Sequence, residues 1–134
     1  MASRFSTVAA NTAADAIAAL LDGGFLRLYD GTRPTTAESA VTNQVLLAEI
    51  AFGDPAFGAA VGGIATANAL TAEDSALATG TATWFRCVTN GGASVFDGSI
   101  GIAGDGANLT LNDVAIELGA SVSISAGPFT TPKE

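Results

Sequence analysis

Apolar and polar positions divide the chain at Gly24. Ahead of it, Ala13, Ile17, Leu20 and Leu21 fall at three- and four-residue spacing, which predicts a helix from about Thr7 to Leu21 with one inward face. Alanine dominates the segment and favours helix. Ser6 or Thr7 can cap its start with a hydroxyl, and Asp22-Gly23-Gly24 stops it by 22. This face is expected to pack on the rest of the domain, with docking on a neighbouring subunit as the alternative.

Beyond Gly24 the pattern switches to period two and short runs. Phe25-Leu26-Arg27-Leu28-Tyr29 predicts a strand ended by Asp30-Gly31. Arg33 to Asn43 reads as polar and irregular. Gln44 to Phe52 alternates as a strand, and Gly53-Asp54-Pro55 breaks it. Ala56 to Gly63 is a small-residue loop, and Ile64 to Leu70 a weak strand. The clearest β signal is Thr81 to Ile100, two strands about the turn Asn90-Gly91-Gly92. Leu109-Leu111 and Ala115-Glu117 are short candidates. Ser121-Ser125 alternates strictly and is expected to run on toward Phe129. Together these predict a mainly β fold, an antiparallel β-sandwich or barrel-like sheet with one N-terminal α-helix. The expected layout is a single domain over 1–134: an arm at 1–6, the helix at 7–22, a β domain at 25–129 and a polar tail at 130–134.

One echo within the chain has physical content. Arg27 shares a strand face with Phe25 and Tyr29, and Arg86 shares one with Trp84 and Val88, while the opposite faces carry Leu26, Leu28, Phe85 and Cys87. Strands apolar on both faces are usually covered on both sides. A covered guanidinium needs a carboxylate, and Glu49 and Asp97, both mid-strand, are the expected partners. The cover on the second face is expected from the N-terminal helix or another subunit, and at least one of the candidate interface residues Phe25, Arg27, Tyr29, Trp84 and Arg86 is expected at or beside a subunit contact.

Composition narrows the chemistry. Hydrophobic residues make up 49% of the chain and charged residues 13%, so the bulk has apolar surface enough to fold. There is no histidine and one cysteine, Cys87. A Ser–His–Asp or Cys–His unit cannot be built, and neither imidazole nor a thiolate cluster is available for a metal. Gly104-Asp105-Gly106-Ala107-Asn108 lacks the acidic ligand pattern of a calcium loop. No pair of carboxylates is singled out for hydrolysis. The expectation is no enzyme, no cofactor and no metal. Five basic residues face thirteen acidic ones, for a net charge of −8. That argues against binding nucleic acid or anionic lipid. No apolar run is long enough to span a membrane, and no signal-peptide core stands at the start.

The ordered set Asp22-Gly23-Gly24-Phe25-Leu26-Arg27-Leu28-Tyr29-Asp30-Gly31-Thr32-Arg33-Pro34, Leu46-Leu47-Ala48, Gly80-Thr81-Ala82-Thr83-Trp84-Phe85-Arg86 and Asp97-Gly98-Ser99-Ile100-Gly101 resembles a family of small proteins encoded among the structural genes of tailed bacteriophages and prophages. The resemblance runs from about Phe5 to Phe129. It implies a virion setting and brings no catalytic residues with it. The expected function is a capsid decoration, or cement, protein: a homo-oligomer that binds the major capsid protein or other virion subunits, made in the bacterial host cytoplasm and carried on the virion. A tail-tube, connector or fibre-associated subunit is the alternative within that setting. A carbohydrate-binding module using loop aromatics is the alternative outside it.

Overall fold

The computed structural model describes residues 5–102, 104–111, 113–122 and 124. Most of the expected N-terminal arm, the tail 130–134 and the continuation of the Ser121 strand toward Phe129 lie outside the described residues. The fold is mainly β: one N-terminal helix, a five-stranded mixed sheet curled as a half-barrel, and a small two-stranded sheet.

Helix α1 spans Thr7–Leu20. Ser6 caps it, its hydroxyl accepting from the Ala9 N–H at 3.1 Å. The stop works as the glycines suggest. Gly23 takes a left-handed φ of 67° and donates its N–H to the Gly53 carbonyl at 3.0 Å, while Gly24 donates to Leu21 at 2.7 Å. The inward face is rotated from the expected one, with Leu21 buried as expected, Ala13 and Ile17 half-buried, and Leu20 turned outward. Ala14, Ala18 and Leu21 are buried, whereas Leu20 is 54% exposed. Methyl-sized side chains let the helix sit close to the domain, so the alanine face wins the inward position over the bulkier residue beside it.

The larger sheet runs β2-β1-β4-β5-β6, with β1 at Phe25–Tyr29, β2 at Leu46–Ala51, β4 at Trp84–Val88, β5 at Ser94–Ile102 and β6 at Leu109–Leu111. β3 (Gly80–Thr81) and β7 (Ala115–Ile116) form the small sheet. The β4–β5 hairpin turns where expected, with the Thr89 N–H on the Ala93 carbonyl and Gly92 at φ 91°. β1, β2, β4 and β5 pair antiparallel, and β5–β6 is parallel. The sheet is thus mainly antiparallel and barrel-like, as expected, with one parallel pair at its edge that the sequence did not indicate. Only three residue pairs meet there, so the returning loop has a short distance to cover. Gly104 and Gly106 at positive φ make the reversal, and the Asp105 carboxylate accepts from the Ile102 N–H. The β3–β7 ladder is too small to be a second sandwich layer. Ile64 to Leu70, expected as a weak strand, makes isolated bridges only, Val61 with Ile64 and Phe57 with Ala67. Its small side chains bury too little to hold a ladder.

Leu26, Leu28, Ile50, Phe85, Cys87, Ile100 and Leu109 form the inner face of the sheet, joined by Ala14, Ala18 and Leu21 from α1. The outer edge of β2 is closed by residues 71–77. Thr71 donates to the Ala51 carbonyl, Leu77 to the Leu47 carbonyl, and the Glu73 carboxylate accepts from the Glu49 N–H.

Candidate functional site

The register of the sheet brings the two arginine strands together. Arg27 pairs with Glu49 on β2 and with Arg86 on β4, and Arg86 pairs with Asp97 on β5. The result is one row across four strands, Glu49–Arg27–Arg86–Asp97, on the face opposite the core. Each guanidinium turns to its own carboxylate. Arg27 Nε donates to Glu49 Oε2 at 2.8 Å. Arg86 is bidentate, with Nε on Asp97 Oδ1 at 2.7 Å and Nη2 on Oδ2 at 2.9 Å.

The two pairs differ in burial. Arg27 and Glu49 side chains are each 30% exposed, and those of Arg86 and Asp97 7% and 6%. The cover over the second pair comes from the chain itself. Segment 31–45 lies over the outer face, and Arg86 Nη1 and Nη2 donate to the carbonyls of Ser39 (2.8 Å) and Thr36 (3.3 Å). Trp84 Nε1 donates to the Asp30 carbonyl at 2.9 Å, Thr83 Oγ1 to the Gly31 carbonyl, and the Val45 N–H to Asp30 Oδ1. The strap is thus tied at both ends and in the middle. Beneath it Tyr29 and Trp84 stack at 4.5 Å and 13°, and the Arg86 guanidinium carbon lies 5.5 Å from the Trp84 ring centre. The Asp97 hydrogen bond holds the Arg86 guanidinium still more firmly protonated than usual.

Of the candidate interface residues, Tyr29, Trp84 and Arg86 are therefore buried within the chain. The cover sought from the helix or a second subunit is supplied for them by 31–45. Phe25 and Arg27 are half-buried and stay accessible. Arg27→Ala, at a solvated pair, is expected to change stability by less than about 1 kcal/mol, read from the denaturant midpoint.

A second polar arrangement escaped the sequence reading. Asn11, Asp15 and Asp22 project from α1 and its end toward the loop 56–63, and their oxygens accept from the N–H groups of Gly63, Ala60 and Ala56, each at 2.8 Å. Polar residues four and seven apart in an alanine helix are the signal that could have found it.

Among the described residues, no group of three or more His, Cys, Asp and Glu side chains is placed to hold a metal ion. A hollow of about 400 Å³ is bordered by Leu111, Ile116, Val122, Asp113 and Glu117, and Asp113 spends an oxygen on the Ala115 N–H. Cys87 is buried, and burial, with the Asp97 charge adding, pushes its thiol well above the ordinary 9.0. The folded chain should thus resist thiol reagents that label it fully once unfolded. The raised value favours the fold while the thiol is neutral in both states. That contribution fades as pH climbs past the unfolded value, so the denaturant midpoint should fall at alkaline pH, and less so in Cys87→Ala.

Comparison with family models, with curated proteins and with solved structures finds no significant match to this chain.

Proposed function

We propose that this protein is a structural component of a tailed-phage virion, a capsid decoration protein that ties neighbouring shell subunits together by burying surface. The supporting observation is the character of its surface. Val8, Val61 and Leu118 are 76%, 78% and 68% exposed, on a fold whose buried charged pair is spent holding its own strap. A contiguous apolar patch marks a surface for other protein, and this reading takes these side chains as parts of such surface. The resemblance to phage structural proteins supplies the setting.

Two details favour decoration over the alternatives. A tail tube extends its sheets from subunit to subunit, and here residues 71–77 close the β2 edge. A sugar-binding module needs a platform of exposed ring faces, and the Tyr29–Trp84 stack is buried, leaving Phe5, among the described residues, as a single exposed ring rather than a stack. The work is interface burial, repeated over the shell and strengthened by avidity. The test is quantitative mass spectrometry of purified particles, followed by reconstitution on stripped heads. Copies in proportion to the shell subunit, with heads more resistant to osmotic shock once reloaded, are expected. No copies on purified particles would overturn the reading.

A further inference from the structure

We propose that Asn90 is a modification site, where spontaneous deamidation undoes a tie between the β4–β5 turn and the end of α1. Asn90 Nδ2 donates to the Gly23 carbonyl at 2.9 Å, across 67 residues of sequence. Gly23 is the left-handed residue that follows the helix. The side chain of Asn90 therefore fastens the hairpin tip to the helix stop.

Deamidation is an intramolecular attack by the backbone nitrogen that follows an asparagine on the side-chain amide carbon. Here the bond from Gly91 N to Asn90 Cγ forms and the bond from Cγ to Nδ2 breaks. The Gly91 amide proton passes to solvent base, and Nδ2 takes a proton from water and leaves as ammonia. Water then opens the cyclic imide at either carbonyl, giving aspartate or isoaspartate. One water is consumed, one ammonia is released, no electrons are transferred, and the chain gains one negative charge.

Three observations select Asn90. The first is the nucleophile. In the turn, the Gly92 N–H is held by the Thr89 carbonyl, the Thr89 N–H by the Ala93 carbonyl and the Ala93 N–H by Thr89 Oγ1. The Gly91 N–H has no partner among the described residues. The second is room. Asn90 is exposed, and a β-carbon built on Gly91 would come no nearer than 3.9 Å to Thr89 Oγ1. No other asparagine in the chain precedes glycine, so each of the others has a side chain crowding the attacking nitrogen. The third is that the comparable aspartyl-glycine pairs are held. The carboxylate of Asp22 accepts from Ala56, that of Asp30 from Val45, that of Asp97 from Arg86 and that of Asp105 from Ile102.

The product cannot make the tie. A carboxylate has no donor, and its oxygen and the Gly23 carbonyl repel as two acceptors. Isoaspartate also lengthens the backbone of the turn by one carbon. The amides at the joint are those of Gly23, on the Gly53 carbonyl, and Gly24, on the Leu21 carbonyl, and they should exchange with solvent faster after conversion.

The experiment is ageing of the purified full chain in warm, mildly alkaline buffer made with heavy-oxygen water, followed by peptide mapping. The parent should convert at Asn90 ahead of every other asparagine, take up one heavy oxygen there and yield both aspartate and isoaspartate. Gly91→Ala should convert several-fold more slowly. Gly91 is not at positive φ, so alanine fits, and parent-like Trp84 emission checks the fold. Asn90→Gln, whose longer side chain closes a less favourable ring, should stay unconverted at 90. Hydrogen exchange read by mass spectrometry should be faster over residues 20–24 in Asn90→Asp and in the aged parent than in the fresh parent. First conversion at another asparagine, or Gly91→Ala converting as fast as the parent, would overturn the site. Parent-like exchange over 20–24 in Asn90→Asp would overturn the loss of the tie.

Discussion

Arg86→Ala is expected to cost about 3–5 kcal/mol of folding stability, the loss typical of breaking a buried ion pair from one side. The substitution strands the Asp97 carboxylate, whose side chain is 6% exposed. It also frees the Ser39 and Thr36 carbonyls that Arg86 holds, so the strap loses its central tie. Trp84, the single tryptophan, lies beneath that strap and reports on it directly. Denaturant titration followed by Trp84 emission and by far-ultraviolet circular dichroism should show an earlier midpoint. Easier quenching of the tryptophan should precede the main transition. Adding Asp97→Asn to Arg86→Ala should recover part of the loss, since the charge goes while the strap carbonyls remain unpaired. A loss below about 1 kcal/mol, the level of an exposed pair, would mean that solvent reaches Asp97.

Gly24→Ala is expected to be comparably severe for a different reason. A β-carbon there would stand 2.3 Å from the Val88 carbonyl oxygen and 3.0 Å from that of Leu21. Both obstacles are backbone, so no rotamer change relieves them. Gly24 also ties the helix stop to the sheet, donating to Leu21 and accepting from the Phe52 N–H at 3.0 Å. The strand that begins at Phe25 would have to move away from β4, at a cost of about 3 kcal/mol or more, the upper end for overpacking. Gly58→Ala is the control. Its β-carbon would come no nearer than 3.8 Å to the Thr66 carbonyl, and the change should stay within about 0.5 kcal/mol. Equal midpoints for the two variants would refute the argument.

How far the sequence could be read depended on where the information resides. β1 is legible because the short, largely apolar run Phe25–Tyr29 is bounded by glycine at one end and Asp30-Gly31 at the other. The β4–β5 hairpin is legible through its glycine turn. The mid-strand places of Glu49 and Asp97 pointed to the arginines they meet. The helix face was harder, because an alanine is compatible with either side, and Leu20 drew attention to the wrong one. The strap was not legible at all. Thr36 and Ser39 act through carbonyl oxygens, which every residue has, so nothing in the side chains of 31–45 marks them as the ligands of a buried guanidinium. The parallel β5–β6 pair was hidden for a similar reason: strand direction is set by the path of the glycine loop, and alternation is blind to it.

The lacing of 56–63 onto α1 bears on how this molecule can change over generations. Surface loops ordinarily accept added or deleted residues at small entropic cost. This one meshes with a helix and the turn that ends it at three points, its amides at 56, 60 and 63 answering oxygens at 22, 15 and 11. One inserted residue would put every later amide out of step, as a slipped tooth does in a gear train. The loop should therefore vary in side chain but hold its length, and Val61 at its tip keeps a fixed position beside the helix.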